Sequence, residues 1–600
     1  MAIELNQEDD MTTQTITPMQ EVSHLVDAAV HIGVIGSPSS TTALSLDIME
    51  SAVQSKLVGE LAIFRFLQDN EPHYALGQIT DISLRNIWHE DPTMRSIIRQ
   101  RGVVDAVSGR QDTHLGQMTV SAVFAEGPDG FYPSSLGTVP ATGTRIHVVT
   151  DAVLDGLLAP YKDQLFYLGY AYGSKPKLPL WFKHFGTGVD GAGEAYHIGV
   201  FGKTGSGKSV LARMMLLAYS RHKQMGLFVL DPMGEFSMGL RNKPTKVNMG
   251  NVLCPPVLHR LERPFEVYDL ANLRLARWDI FEQLLVEFEF FSMLGVKWGS
   301  YQEDLAFYVT NDLRGKYNLK QLSSFEAYTD ALNSVDTNIQ RVYTGQGAID
   351  RIRTFVQEAL SEGMQGNYWS RWQAITGLFT GGQGALDPGA IVSRALKADE
   401  KRRPLIVVDL SRSPEGISKT AWEDKIKPLL IDNFLDEIIR RAEREYQRGG
   451  NLNTLVVMDE AHRLAPEGRI ENAKKRDIRS RLVDAVRTTR KYGLGWMFLS
   501  LTLASLDKEI RQQLRISFYG FGLASGTELQ ALRELVGGDS DSLRLYQQFR
   551  DPHSAFNADG REYSFMTIGP VSPLSFAGTP LFFNAFTKAQ EFIETNFGKR

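Results

Sequence analysis

The stretch Tyr196-His197-Ile198-Gly199-Val200-Phe201 runs directly into Gly202-Lys203-Thr204-Gly205-Ser206-Gly207-Lys208-Ser209, and residues 210–220 continue it as an apolar, helix-forming segment. A buried-type strand, a glycine-rich octet matching G-x-x-x-x-G-K-[ST] and a helix, in that order, form the unit that cradles phosphate. Glycines let the backbone curl so that successive N–H groups converge on phosphate oxygens at a helix N-terminus. In that geometry Lys208 neutralises the outer phosphates and the Ser209 hydroxyl ligates Mg2+. Gly202, Thr204, Gly205, Ser206, Gly207, Lys208, Ser209 and Val210 are therefore the expected nucleotide-binding residues, with ATP and Mg2+ as the expected ligands.

A metal-supporting acid belongs at the end of another apolar strand, and Leu455-Val456-Val457-Met458-Asp459-Glu460-Ala461-His462 supplies it. Asp459 is expected to hold the Mg2+ ion, and Glu460, one residue on, to polarise the attacking water as general base. The adjacent acidic pair is the mark of a hydrolase as opposed to a nucleotide binder. Two further strands end in acids, Asp231 before Pro232-Met233-Gly234-Glu235 and Asp409 before Leu410-Ser411. Carboxyl ends of parallel strands face the ligand crevice, so both are open to a role there or to plain strand capping. Glu235 is the stronger of the neighbouring acids, since Gly234 lets the chain turn back towards the nucleotide.

Working outward, the runs 196–201, 227–231, 405–410, 455–459, 495–499 and 516–520 are apolar without clean alternation. Strands covered on both faces look like this, and they predict a parallel sheet between helices. The long interval between Asp231 and Leu405 shows helical periodicity over 274–294, 302–313 and 348–362, predicting a helical insertion. Its aromatic residues, among them Phe288, Phe290, Phe291, Trp298, Tyr368, Trp369 and Trp372, fit core packing better than base stacking. Residues 30–172 instead show short strands punctuated by Gly, Pro and Asn, as in a small barrel. Gly33-Val34-Ile35-Gly36-Ser37-Pro38 mimics a phosphate loop but lacks the lysine and is expected to be a turn.

The expected layout is a polar tail over 1–20, a β-barrel over 21–175 and a linker over 176–195. An ATPase core follows over 196–245 and 400–570, interrupted by the insertion at 246–399 and ended by an extension at 571–600. The 600-residue chain has 43% hydrophobic and 22% charged residues, which excludes general disorder. With 65 Lys and Arg against 70 Asp and Glu, it carries no global positive field. A local one exists: ten basic residues stand against four acids between Arg463 and Lys491. That segment can grip backbone phosphates, form a solvated helix face, or present an arginine to a neighbouring subunit, and it is expected to mix these roles. The lone Cys254 excludes a disulfide framework and, with no secretory signal or membrane-length apolar run, fits a cytoplasmic protein without a membrane partner.

These pieces together resemble the HerA-type ATPases of the HerA/FtsK superfamily. The resemblance rests on the stretch 197–209, on Asp231-Pro232-Met233-Gly234-Glu235-Phe236 and Met458-Asp459-Glu460-Ala461-His462, on Thr489-Arg490-Lys491-Tyr492-Gly493-Leu494-Gly495, and on Gly569-Pro570-Val571-Ser572-Pro573-Leu574. It implies an α/β fold with a RecA-like P-loop core, a helical insertion and a small N-terminal β-barrel. It further implies a homo-hexameric ring that hydrolyses ATP between subunits and moves double-stranded DNA without reading its sequence, with Arg490 as an arginine finger acting in trans. Relatives work with a partner effector, a NurA-like nuclease in archaea and in bacteria often a nuclease or a sirtuin-like NADase, for which the barrel is the expected dock. One departure stands out: Leu501 occupies the place where the family usually carries a glutamine that senses the terminal phosphate.

Overall fold

The computed structural model describes residues 18–598 except 102–109, 129, 189, 243, 383, 398–400, 414–418, 420–421, 471–472, 538–539 and 576–577. The chain forms two compact units, one of residues 1–182 with 524–587, the other of residues 183–523 with 588–600.

In the first unit β1 (His31–Ile35), β2 (Leu44–Ile48), β3 (Leu61–Gln68), β4 (Glu71–Arg85), β5 (Thr113–Gly127), β6 (Gly130–Ser134) and β7 (Arg145–Val148) are ordered β2-β1-β7-β3-β4-β5-β6, and pairing of β2 with β5 closes the sheet into the expected barrel. Closure needs bent strands. The β4–β5 register shifts between Leu76 and Gly77, where a Cβ would sit 2.1 Å from the Thr119 carbonyl oxygen, so only glycine permits the approach. Ile32, Leu44, Leu46, Phe64, Ile79 and Ile146 fill the interior. Gly33-Val34-Ile35 belongs to β1, and the segment of residues 36–43 joins β1 to β2, as a turn should.

The interval expected to be a linker contains a strand, β9 (Lys177–Trp181), antiparallel to β8 (Leu165–Ala171). The strand Leu581–Ala585 pairs with β8 and with Ser564–Ile568. The unit boundaries at 182 and 523 thus differ from the boundaries read along the chain. Pairing between segments some 400 residues apart leaves no mark on local composition.

The second unit is built on a parallel sheet of β10 (Ile198–Phe201), β11 (Gly226–Asp231), β12 (Phe265–Tyr268), β13 (Leu405–Asp409), β14 (Thr454–Met458), β15 (Leu494–Ser500) and β16 (Ile516–Gly520), in the order β12-β13-β11-β14-β15-β10-β16. Every residue of β10, β11, β13, β14, β15 and β16 is buried, the reason their apolar runs lack alternation. The half-buried edge strand β12 escaped the sequence reading for the opposite reason.

Apart from β12, which lies within 246–399 and joins the core sheet, the insertion is helical, with α1 (Lys208–Ser220) preceding it and α2 (Trp278–Glu287), α3 (Ser300–Arg314), α4 (Phe325–Val342), α5 (Gln346–Glu362) and α6 (Asn367–Thr380) within it. The stretch 274–294 is not one helix: Glu289, at φ 59°, turns the chain so that Phe290 and Phe291 both become fully buried. Phe290 packs on Trp372, which Phe281 and Tyr328 also meet. The insertion's aromatics are thus mostly core, while Trp298 is 57% exposed. Among the described residues no helix is long and apolar enough to cross a membrane.

Candidate nucleotide site

The phosphate loop leaves the carboxyl end of β10, and Gly207, at φ 89°, is the cap from which α1 starts. Gly202 and Gly205 also have positive φ, and a Cβ on Gly202 would lie 2.6 Å from the Ser206 hydroxyl. The loop therefore curls as phosphate binding requires. Lys208 is buried, and its Nζ donates to the Lys203 carbonyl at 3.1 Å, folding over the concavity. Burial lowers its pKa, with Glu460, Asp459 and Glu235 pulling the other way. The Ser206 hydroxyl is buried with no hydrogen-bond partner.

Strand order explains how the acids reach this lysine. β15 lies between β10 and β14, with Phe201 beside Ser500 and Met458 beside Phe498. Asp459 and Glu460 follow β14 at the same carboxyl edge, facing the loop across the end of β15. Asp459 is buried, and its Oδ1 accepts the Glu460 N–H at 2.9 Å. Burial, then the charges of Glu235 and Glu460, push the Asp459 carboxyl up to about 7. Asp459 is thus a buried carboxyl whose charged form is disfavoured, a condition that a divalent cation relieves.

Its donors are hard oxygens of the kind Mg2+ prefers: the Ser209 hydroxyl and the carboxylates of Asp459, Glu460 and Glu235. Among the described residues no group of three or more His, Cys, Asp or Glu side chains is placed to hold a metal ion by itself. Mg2+ fits such a site, since it takes one or two protein oxygens and completes its shell with phosphate and water.

Glu460 sits in a left-handed conformation, φ 53° and ψ 37°, which is rare for a residue other than glycine. One of its oxygens lies 3.2 Å from Arg463 Nε and 3.6 Å from His462 Nε2. His462 Nδ1 meets the Ser500 hydroxyl at 3.3 Å, so the end of β15 contributes through Ser500, one residue before Leu501. His462 and Ser500 were not singled out from sequence, although a histidine two residues after the candidate base was a signal.

Asp231 and Asp409 are turn organisers. Asp231 accepts the backbone N–H groups of Glu235, Phe236 and Ser237 at 3.0, 3.0 and 2.8 Å. That fixes the Pro232–Gly234 turn and brings Glu235 to the site, where its carboxylate lies 3.7 Å from the buried Arg213. Burial works against the Asp409 carboxylate, but bonds from Ser411 and Ser237 with the charge of Arg241 hold it below the usual range.

Arg490 stands elsewhere. It precedes β15 while Lys208 follows β10, and the two strands are parallel, so the residues occupy opposite edges of the sheet. There Arg490 pairs with Glu194 at 3.5 Å, and Arg515 engages the other oxygen of the same carboxylate. Several other members of the basic segment are committed within the chain: Arg479 to Asp507 at 2.6 Å, Arg481 to Asp432 at 3.0 Å, and Arg487 to Glu509. Arg463, Arg469 and Arg476 remain exposed.

Residues 195–422 match the family model of the HerA helicase central domain. No curated protein matches the chain in sequence. Solved structures that are similar include VirB4 of Thermoanaerobacter pseudethanolicus (15% identity, TM-score 0.37, covering 71% of this chain and 97% of that one). The genome packaging NTPase B204 of Sulfolobus turreted icosahedral virus 2, in complex with AMPPCP, is 9% identical with a TM-score of 0.27, covering 65% and 98%. The bacterial conjugative coupling protein TrwB is 13% identical with a TM-score of 0.34, covering 65% and 86%.

Proposed function

We propose that the chain, whose residues 195–422 match the family model of the HerA helicase central domain, is a Mg2+-dependent ATPase that assembles as a homo-hexameric ring and translocates double-stranded DNA without sequence preference. The observation that carries this reading is the convergence of Lys208, Asp459, Glu460 and Glu235 at one edge of the parallel sheet, around a phosphate loop. A nucleotide binder needs the loop; a hydrolase also needs a carboxylate placed to take a proton from water.

In this reading the backbone of residues 202–207 and Lys208 hold the phosphates, Ser209 and Asp459 hold Mg2+, Glu235 supports the cluster, and Glu460 is the base. The metal, when bound, supplies Lewis-acid stabilisation of charge on the transferred phosphoryl group. Arg490, on the opposite edge, has no route to its own phosphate loop, which supports a role towards a neighbouring subunit. The exposed part of the basic segment is the DNA contact. Effector chemistry, nuclease or NADase, resides in a partner docked on the barrel.

Leu501 favours a second reading, in which ATP holds a ring that organises the effector and DNA is not pumped. The test is the steady-state ATPase rate with and without linear double-stranded DNA, with Lys208→Ala as blank. Stimulation by DNA supports the motor. A rate equal to the blank overturns both the motor and the enzyme assignment, and a DNA-indifferent rate selects the scaffold.

A further inference from the structure

The proposed base is held by one cation, Arg463, before any substrate arrives, since burial pushes the pKa of the neighbouring His462 below the ordinary imidazole value and keeps it neutral. The Glu460 oxygen that lies near Arg463 and His462 is buried and has no aligned hydrogen bond, so the hold on it is Coulombic and can be released by a competing anion. Its backbone is in a left-handed conformation, a local strain that marks a residue kept in place by its surroundings. Arg463 is 56% exposed although its guanidinium reaches this buried oxygen, so one side of it faces outwards.

Beside the pair lies a cavity of about 370 Å³, lined by Glu460, His462, Arg463, Lys475, Lys427 and Met233 among others. Two other acids border it, and both are engaged: Glu423 with Lys427 at 2.7 Å, and Asp459 with the Glu460 N–H. Asp459 and Glu460 line the cavity and no phosphate-loop residue does, so it adjoins the nucleotide site on its acidic side.

We propose that Arg463 is a positioning residue that parks Glu460, and that a phosphate group entering this cavity takes Arg463 over and frees Glu460 to activate water. The inference rests on the reading of Glu460 as base. The ligand chemistry is a phosphate anion, supplied either by a nucleic-acid backbone or as free phosphate. A phosphate competes for a guanidinium because it offers the bidentate acceptor geometry that a carboxylate also offers, a backbone phosphodiester with the same single charge and free phosphate with a greater one. No bond is made or broken in the switch; an ion pair is exchanged.

The experiment is steady-state ATPase of the full chain as wild type, Arg463→Gln and Arg463→Lys, titrated with linear double-stranded DNA or, separately, with inorganic phosphate. Arg463→Gln is expected to raise the DNA-free kcat about fivefold or more at unchanged KM, and added anion then changes it less than about twofold. Arg463→Lys, which keeps the charge, retains stimulation. A purely structural arginine would lower kcat when removed, so the direction separates the two roles. Stimulation of the wild type by DNA alone assigns the backbone as source, and stimulation by inorganic phosphate alone assigns the free anion. Arg463→Gln with a DNA-free kcat at or below wild type and undiminished stimulation overturns the inference, as does a wild type that neither anion accelerates. A wild type no faster than Lys208→Ala overturns the underlying ATPase reading instead, so the two failures are distinguishable. Should Arg463→Gln fail to fold, Lys475→Gln, on the same cavity, is expected to weaken anion stimulation, and full stimulation in that variant overturns the inference.

Discussion

The two ends of strand β10 are built on opposite electrostatic plans. At its carboxyl end Lys208 is partly stripped of water and faces three carboxylates, Asp459 is pushed up to about 7, and Glu460 has a positive φ. At its amino end His197 is buried and neutral, drawn down to about 4 by burial, with Nε2 donating to the Val486 carbonyl at 2.8 Å and Nδ1 accepting the Trp496 N–H at 3.2 Å. One edge carries a buried, disfavoured carboxylate and strain; the other has its buried polar groups paired. A ligand has something to gain at the first edge, while the second is a frame that joins β10, β15 and α7 (Ala473–Thr488).

The sharpest break in this comparison is Glu460→Gln. Removing the base while keeping its shape is expected to lower kcat by about 10²–10⁴-fold and leave ATP binding within a few-fold of wild type. Equilibrium binding of a fluorescent ATP analogue alongside turnover separates the two effects, and normal turnover would remove Glu460 from its role. Lys208→Ala is expected to lose binding itself.

Asp459→Asn acts on the same edge in the opposite sense. A carboxyl whose folded pKa lies above its unfolded value costs stability as pH rises from about 4 to 7, since the unfolded chain sheds its proton first. A shift of this size corresponds to about 4 kcal/mol, so apo Asp459→Asn is expected to melt several degrees above wild type at pH 8. The gain is expected to shrink at pH 5, and Mg2+ with nucleotide to stabilise the variant less than wild type. Equal apo melting temperatures at pH 8 would mean the site is not strained by like charge.

Much of the carboxyl edge was legible because its chemistry is local. Eight consecutive residues make the phosphate loop and two make the acidic pair, and each follows an apolar run that marks a buried strand. Glu235 was also legible, through Gly234. The tether on Glu460 was not, because His462, Arg463 and Ser500 converge only once β15 is inserted between β10 and β14. The fold shows the same divide: barrel, parallel sheet and insertion follow from periodicity, whereas β12, β9 and the return of residues 524–587 to the first unit depend on distant pairing. The basic segment is an intermediate case. Its charge count was visible, but the acids that neutralise Arg479, Arg481 and Arg487 come from elsewhere in the chain.

The framed edge makes its own prediction. A buried histidine kept neutral binds fewer protons than it does unfolded, so its stabilisation is complete above about pH 6.5 and is lost as pH falls towards 4. The difference is about 3 kcal/mol across that window. His197→Gln, which retains a donor and an acceptor, is expected to be less stable than wild type at pH 8 and to lose less stability on acidification to pH 5. Parallel pH profiles of the two proteins would place the acid sensitivity on another group.

The smallest stability effect is expected at Arg490, where the largest question about assembly lies. Its ion pair with Glu194 joins side chains 56% and 37% exposed, and pairs so exposed contribute at most about 1 kcal/mol. Arg490→Ala should therefore fold and melt almost as wild type does. If the arginine serves a neighbour's nucleotide, the variant is nonetheless expected to lose ATPase activity by about 10³-fold. Lys208→Ala is inactive for the complementary reason, since it retains Arg490 but has no phosphate cradle. Mixed and allowed to assemble together, the two inactive proteins create interfaces that pair an intact cradle with an intact arginine, and activity is expected to return in proportion to those interfaces. No return on mixing would confine Arg490 to its own subunit, where it and Arg515 do no more than anchor Glu194 at the amino edge.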